Sequence, residues 1–126
     1  MAAGGVWAGQ SAIAQPVADF YRGKILNIYV GSAEGGGLDA YPRLLSDYLT
    51  KYIPGNPTVV IRYMPGAGGV KAANYIYKIA PQDGTAYGFV TRGAVYAPLF
   101  NVPQAEFDPR KLAWIGSTSK EVSIGA

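Results

Sequence analysis

The sequence predicts an α/β fold, a parallel-sheet lobe with helices on both faces. Three observations carry this. Apolar runs of strand length alternate along the chain with helical patterns. The first such run, Lys24-Ile25-Leu26-Asn27-Ile28-Tyr29-Val30, is nearly continuous in apolar and β-branched residues, as a strand covered on both faces requires. Two glycine-rich stretches, Gly31-Ser32-Ala33-Glu34-Gly35-Gly36-Gly37-Leu38-Asp39 and Pro65-Gly66-Ala67-Gly68-Gly69, each stand between a strand and a helix. Strands and helices in this alternation imply right-handed crossovers and a parallel sheet.

The chain opens on a small, apolar stretch, Met1 to Ser11. Ala12-Ile13-Ala14 followed by Gln15 fits the A-x-A cleavage pattern of a secretory signal, although no Lys or Arg precedes the apolar part. Residues 1–19 therefore read as a truncated signal peptide or a disordered tail, with the signal preferred. No other run approaches the roughly 20 apolar residues of a spanning helix.

After the first glycine loop, Tyr41, Leu44, Leu45, Tyr48, Leu49 and Tyr52 recur at three- and four-residue spacing along one helix face. Asp39 suits the N-cap or first turn, where its charge meets the positive helix end. Pro42 is tolerated only in the first turn, which pins the helix start near Asp39. Pro54-Gly55-Asn56-Pro57 ends that helix. Thr58 to Tyr63 is the second strand. Beyond the second glycine loop, Val70, Ala73, Ile76, Tyr77 and Ala80 mark another amphipathic helix. Pro81-Gln82-Asp83-Gly84 is a turn, and Thr85 to Thr91 is a third strand ending at Arg92-Gly93. A short helix is expected over Ala94 to Phe100, then a loop to Arg110 with a turn at Asp108-Pro109. Leu112 to Gly116 reads as a fourth strand, and Val122 to Ala126 as the start of a fifth.

The 126 residues fit one ordinary domain, and an apolar content of 49% is enough for a core. There is no cysteine and no histidine, which removes disulfides, thiolate metal sites, the usual zinc ligand and every Ser-His-Asp arrangement. The net charge of +3 comes from scattered basic residues, of which only Arg110 and Lys111 are adjacent. Nucleic-acid binding needs a clustered stripe, so it is not expected. No metal, cofactor or catalytic group is expected either.

In parallel sheets ligands sit beyond the carboxyl ends of the strands. Both glycine loops and Thr91-Arg92-Gly93 lie at those ends. A strand-to-helix loop rich in glycine exposes N–H groups beside a positive helix end, which suits a carboxylate or phosphate. Gly35 to Leu38 are the expected donors of the first loop. Three consecutive glycines cost roughly 0.5–1 kcal/mol each relative to Ala, more than a plain turn needs. Asp39 is a ligand acceptor or a cap; Arg92 is a carboxylate partner or a solvated charge. Glu34 would repel a carboxylate if it pointed inward; it faces solvent, or selects a ligand that also carries an amine. Gly35-x-Gly37-x-x-Ala40 matches a dinucleotide fingerprint in letters, but the glycines begin well past the strand end. The acid expected about 20 positions on is absent, since no Asp or Glu lies between Asp47 and Asp83. A nucleotide-binding α/β enzyme domain is thus the alternative reading, and an interaction protein with a structural glycine loop is a third.

The ordered series of motifs carries a resemblance. It runs Phe20-Tyr21-x-Gly23-Lys24, Gly31-x-x-x-Gly35-Gly36-Gly37-x-Asp39, Arg43-Leu44-Leu45, Ile53-Pro54-Gly55-Asn56-Pro57, Met64-Pro65-Gly66-Ala67-Gly68-Gly69, Ala72-Ala73-Asn74-Tyr75 and Ala80-Pro81-x-Asp83-Gly84-Thr85. Over about residues 20–117 it resembles the substrate-binding receptors of tripartite tricarboxylate transporters, the Bug-type periplasmic binding proteins. The resemblance implies a two-lobed type II periplasmic binding fold, a periplasmic location and no chemistry of its own. It implies that a small di- or tricarboxylate, or a related organic acid, is bound and passed to the membrane permease subunits. The carboxylate would be held at Ser32, Ala33, Glu34, Gly35, Gly36, Gly37 and Asp39, at Gly66, Ala67, Gly68 and Gly69, and by Thr91 and Arg92. Members of that family are much longer. Residues 20–117 are therefore expected to hold most of a first lobe, with 118–126 starting the crossover to a second.

Overall fold

The structure, a computed structural model, describes residues 17–118. The element order is α1 (Val17–Tyr21), β1 (Ile25–Val30), α2 (Ala40–Tyr52), β2 (Thr58–Tyr63), α3 (Val70–Lys78), β3 (Ala86–Phe89) and α4 (Arg92–Tyr96). Short 3-10 turns occupy Ala67–Gly69 and Pro109–Lys111. The three strands form one parallel sheet in the order β2-β1-β3, so the fold is α/β with a parallel sheet.

β1 is central because its residues are apolar on both sides. Leu26, Ile28 and Val30 point to one face, Tyr29 to the other, and all four are buried. Burying side chains of this size stabilises by roughly 1.5–3 kcal/mol each. The register pairs Val30 with Tyr63 and Phe89, and Tyr29 with Arg62 and Gly88. Residues paired across a parallel sheet share a face, so the helix contacts can be assigned. Tyr41 of α2 stacks on Phe89, centroids 6.3 Å apart, on the Val30 face. Tyr75 of α3 packs on Tyr29 at 4.6 Å on the opposite face. Ile76 lies over Gly88, where a Cβ would fall 3.0 Å from Ile76 Cγ1. Helices therefore cover both faces. The chain steps from β1 to β2 through α2, then back past β1 to β3 through α3. Two crossovers of one hand in opposite directions put their helices on opposite faces.

Beyond β3 the chain folds back on α3. Val70, Ala73, Ala94, Ala97 and Phe107 form a buried cluster, with Tyr77, Val102 and Leu112 packed against it. Asn74 fastens the returning loop from both ends of its amide. Its Nδ2 donates to the Gln104 carbonyl at 2.8 Å, and its Oδ1 accepts from the Glu106 N–H at 2.9 Å. Lys78 pairs with Glu106 beside it. At the other end of the sheet, α1 rests on the turn that ends α2. A Cβ at Gly55 would lie 2.4 Å from the Ala18 carbonyl oxygen, so only glycine fits.

Several expectations need correction. Helix α1 begins at Val17, inside the stretch read as signal or tail. β3 is shorter than Thr85 to Thr91, because β1, its only partner among the described residues, ends at Val30 opposite Phe89. The helix expected over Ala94 to Phe100 starts instead at Arg92. The Thr91 hydroxyl accepts the Ala94 N–H at 3.2 Å and sets that start. Leu112 to Gly116 is not a strand. A strand needs a hydrogen-bonded neighbour, and a cleft of about 410 Å³ separates this segment from β3. The strand expected over Val122 to Ala126 and the Ala12-Ile13-Ala14 site lie outside the described residues.

One close approach is decisive for the sheet edge. A Cβ on Gly31 would sit 2.8 Å from the Gly69 Cα, a backbone atom that cannot swing aside. Gly31→Ala should therefore destabilise the fold by about 1–3 kcal/mol through overpacking. A Cβ on Gly37 meets nothing within 4 Å, so Gly37→Ala should change stability by less than about 0.5 kcal/mol. Urea unfolding of the two variants checks this; equal midpoints would show that the approach does not matter.

Candidate functional site

Three loops leave the carboxyl edge of the sheet and meet there. Gly31 opens the first. Its N–H donates to the Phe89 carbonyl at 2.9 Å, while the Val30 carbonyl accepts from the Met64 N–H at 2.8 Å. The end of β1 is thus tied to both neighbours. Gly69 closes the second loop at φ 98°, a conformation that favours glycine, and lies against Gly31. Gly66, Ala67 and Gly68 also have positive φ. Ala67 is the only residue of this run with a Cβ, held at φ 46° against the ordinary steric preference. Thr91 begins the third loop. Its Oγ1 donates to the Gly68 carbonyl at 2.6 Å and also caps α4.

The first loop is shaped by Asp39. Its carboxylate, only 8% exposed, accepts from the Gly35 N–H at 3.1 Å, from Arg43 Nε at 2.9 Å and from the Tyr63 hydroxyl. Arg43 Nη2 then reaches Glu34 Oε1 at 2.8 Å. Asp39 stands just before α2 but makes no side-chain cap; its oxygens turn back to the loop instead. The Gly36 N–H is also engaged, with the Ala33 carbonyl at 3.3 Å. Of the donors expected over Gly35 to Leu38, the first two therefore hold the loop together. The Tyr63 hydroxyl and then Arg43 keep the Asp39 carboxyl below the usual range, against the opposing effect of burial. The bond to Asp39 pushes the Tyr63 hydroxyl upward.

Ser32 is different. Its Oγ is buried and has no hydrogen-bond partner among the described residues. Buried hydroxyls are rarely left so, because desolvation without a bond is costly. Ser32 directly follows Gly31, where the loops converge. β1 and β3 are also the strands between which the chain's direction of winding reverses, the usual position of a ligand crevice.

The expected site residues do not line a single hollow. Leu38, Thr91 and Arg92 border the cleft between β3 and residues 112–118, together with Trp114 and Ile115. Gly66 and Ala67 border a second hollow of about 700 Å³ on the outer side of α3, with Lys71, Tyr75 and Ile79. Ser32 to Gly37 lie on the lip outside both. Arg92 is exposed at the start of α4. Two residues of this edge escaped sequence reading, Arg43 and Tyr63. Arg43 was legible in principle, four residues beyond Asp39 on one helix face. Nothing local marks Tyr63, which meets Asp39 only because β2 lies beside β1. Among the described residues no cluster of three or more His, Cys, Asp or Glu could hold a metal, and no helix is long and apolar enough to cross a membrane.

No known family model matches the chain, and no curated protein matches it.

Two outcomes follow from this geometry. The folded-state pKa of Asp39 is depressed, so its contribution to stability is complete above the unfolded value of about 3.9. That contribution fades as pH falls through the folded value. Thermal unfolding followed from pH 7 to 2 should therefore lose stability below about pH 4, and Asp39→Asn should flatten that limb. An unchanged acid limb in the variant would remove Asp39 from the account. Thr91→Val should cost about 1–2 kcal/mol, through loss of the α4 cap and of the bond to Gly68. Chemical denaturation measures it, and hydrogen exchange should quicken at Gly69 and Ala94.

Proposed function

We propose that this chain is a binding lobe for a small organic carboxylate, the first jaw of an exported receptor that feeds a tripartite membrane transporter. The observation that carries the proposal is the buried, unpartnered Ser32 hydroxyl on the loop after the central strand. It stands where three loops converge at the winding reversal of a parallel sheet. A carboxylate is a strong acceptor, and a hydroxyl that bonds to it contributes roughly 1.5–3 kcal/mol. The ordered motifs from Phe20 to Thr85 support the same class. So does the edge itself, which offers backbone donors and a hydroxyl.

A second lobe closing on this one fits the surface. Leu99, Phe100 and Ile115 are 72%, 78% and 80% exposed, and Ile115 borders the open cleft beside β3. In this reading the ligand is passed on unchanged, in the periplasm, to the permease subunits.

The nucleotide reading draws on the same winding reversal, but no Asp or Glu lies between Asp47 and Asp83 to hold a ribose.

NMR-detected titration of the chain with succinate and citrate, against ATP and NAD as comparators, tests the proposal. The expected outcome is weak, saturable shifts at Ser32, Gly37, Gly69 and Thr91 with the organic acids only. Ser32→Ala should weaken that binding roughly ten-fold or more. Binding of a nucleotide with no response to any organic acid would overturn the proposal.

A further inference from the structure

One interaction at this edge has a chemistry of its own. Arg43 is anchored from within. Its Nε is held by the buried Asp39 carboxylate, which is itself fixed by the Gly35 N–H and the Tyr63 hydroxyl. Its Nη2 bonds Glu34, and the side chain is about half exposed, at 53%. The partner of Nη2, Glu34, is the more exposed of the two at 69% and rides on an exposed turn that begins beyond Gly31. The cation of this pair is therefore positioned by a buried network, while the anion is held by the pair alone. Among the described residues the Glu34 carboxylate has no other hydrogen-bond partner. A guanidinium presented in this way matches any carboxylate, and a fork of two N–H groups binds one better than a single donor does.

We propose that Glu34 is a built-in stand-in for the ligand carboxylate: it occupies Arg43 in the free protein and is displaced by an incoming organic acid. This deepens the reading above and rests on it. It assigns Arg43 as the charge-recognising residue of the lip. It also gives Glu34 a place there: the residue keeps the guanidinium occupied and makes the site selective for ligands that outcompete a tethered carboxylate. An exposed ion pair is weak enough to be exchanged at little cost. Neutral ligands gain nothing from the exchange and leave the pair closed.

The test compares succinate with neutral succinamide on the intact chain, its Glu34→Gln variant and an Asp47→Asn control. Asp47 is an exposed carboxylate one helical turn beyond Arg43 that forms no ion pair with it among the described residues, so the control removes a like charge without freeing the guanidinium. Removing the tethered competitor should tighten succinate binding about three- to six-fold, as expected for a competing surface pair. Succinamide binding should not change, and Asp47→Asn should gain much less. In the unaltered chain, saturating succinate should move the Glu34 carboxyl ¹³C resonance to the position of a free glutamate. Equal succinate affinity in the chain and Glu34→Gln would overturn the exchange while leaving the carboxylate site standing. An equal gain in Asp47→Asn, or an unmoved Glu34 resonance, would overturn it as well. No succinate binding by any of the three would bring down the site and the exchange together.

Discussion

The distance between Gly31 and Gly69 governs the rest of this sheet edge. With no Cβ on Gly31, the loop after β1 and the loop after β2 touch through their backbones. That contact lets Thr91 reach the Gly68 carbonyl, which in turn places the cap of α4. A side chain at position 31 would wedge the loops apart and undo each of these in sequence. Ser32, whose hydroxyl is buried without a partner among the described residues, directly follows Gly31. Glycine here serves contact between loops as much as contact with a ligand.

A second dependency runs through charge. Burying the Asp39 carboxylate is tolerable only because three donors surround it, and each donor comes from a different part of the chain. The Gly35 N–H belongs to the loop, Arg43 to α2 and the Tyr63 hydroxyl to the end of β2. One carboxylate thus fixes the loop against the helix and against the sheet. The anion chemistry first expected of Gly35 and Gly36 is used internally for that purpose. In the reading proposed above, a ligand would use what lies to either side, Ser32 and the half-exposed Arg43. In that reading the lip is more selective than a bare row of N–H groups, since a ligand would meet a hydroxyl and contend with Glu34.

The surface beyond β3 shows how little of this α/β unit is enclosed. Among the described residues β1 is buried on both faces, yet β2 and β3 are both edges. The chain after α4 protects α3 through Phe107 and the Asn74 clasp, but it leaves Leu99, Phe100 and Ile115 in solvent. Of these, Ile115 borders the open cleft beside β3.

The sequence by itself determined the elements whose signals are local. β2 was legible to the residue because Thr58 to Tyr63 is a β-branched run bounded by Pro57 and Pro65. The start of α2 followed from Pro42, and the two glycine loops followed from composition. The parallel sheet was legible because alternation of strand and helix leaves few other topologies. Only the tertiary structure decided what depends on neighbours far apart in the chain. β3 stops at Phe89 because β1 stops opposite it, and Leu112 to Gly116 has no ladder partner across the cleft. Tyr63 became part of the loop network because β2 runs beside β1, a pairing that no local pattern near Tyr63 encodes. Glu34 could be described from the sequence only as an ill-fitting charge. Its meaning came from Arg43, whose guanidinium is oriented by a carboxylate that the fold buries.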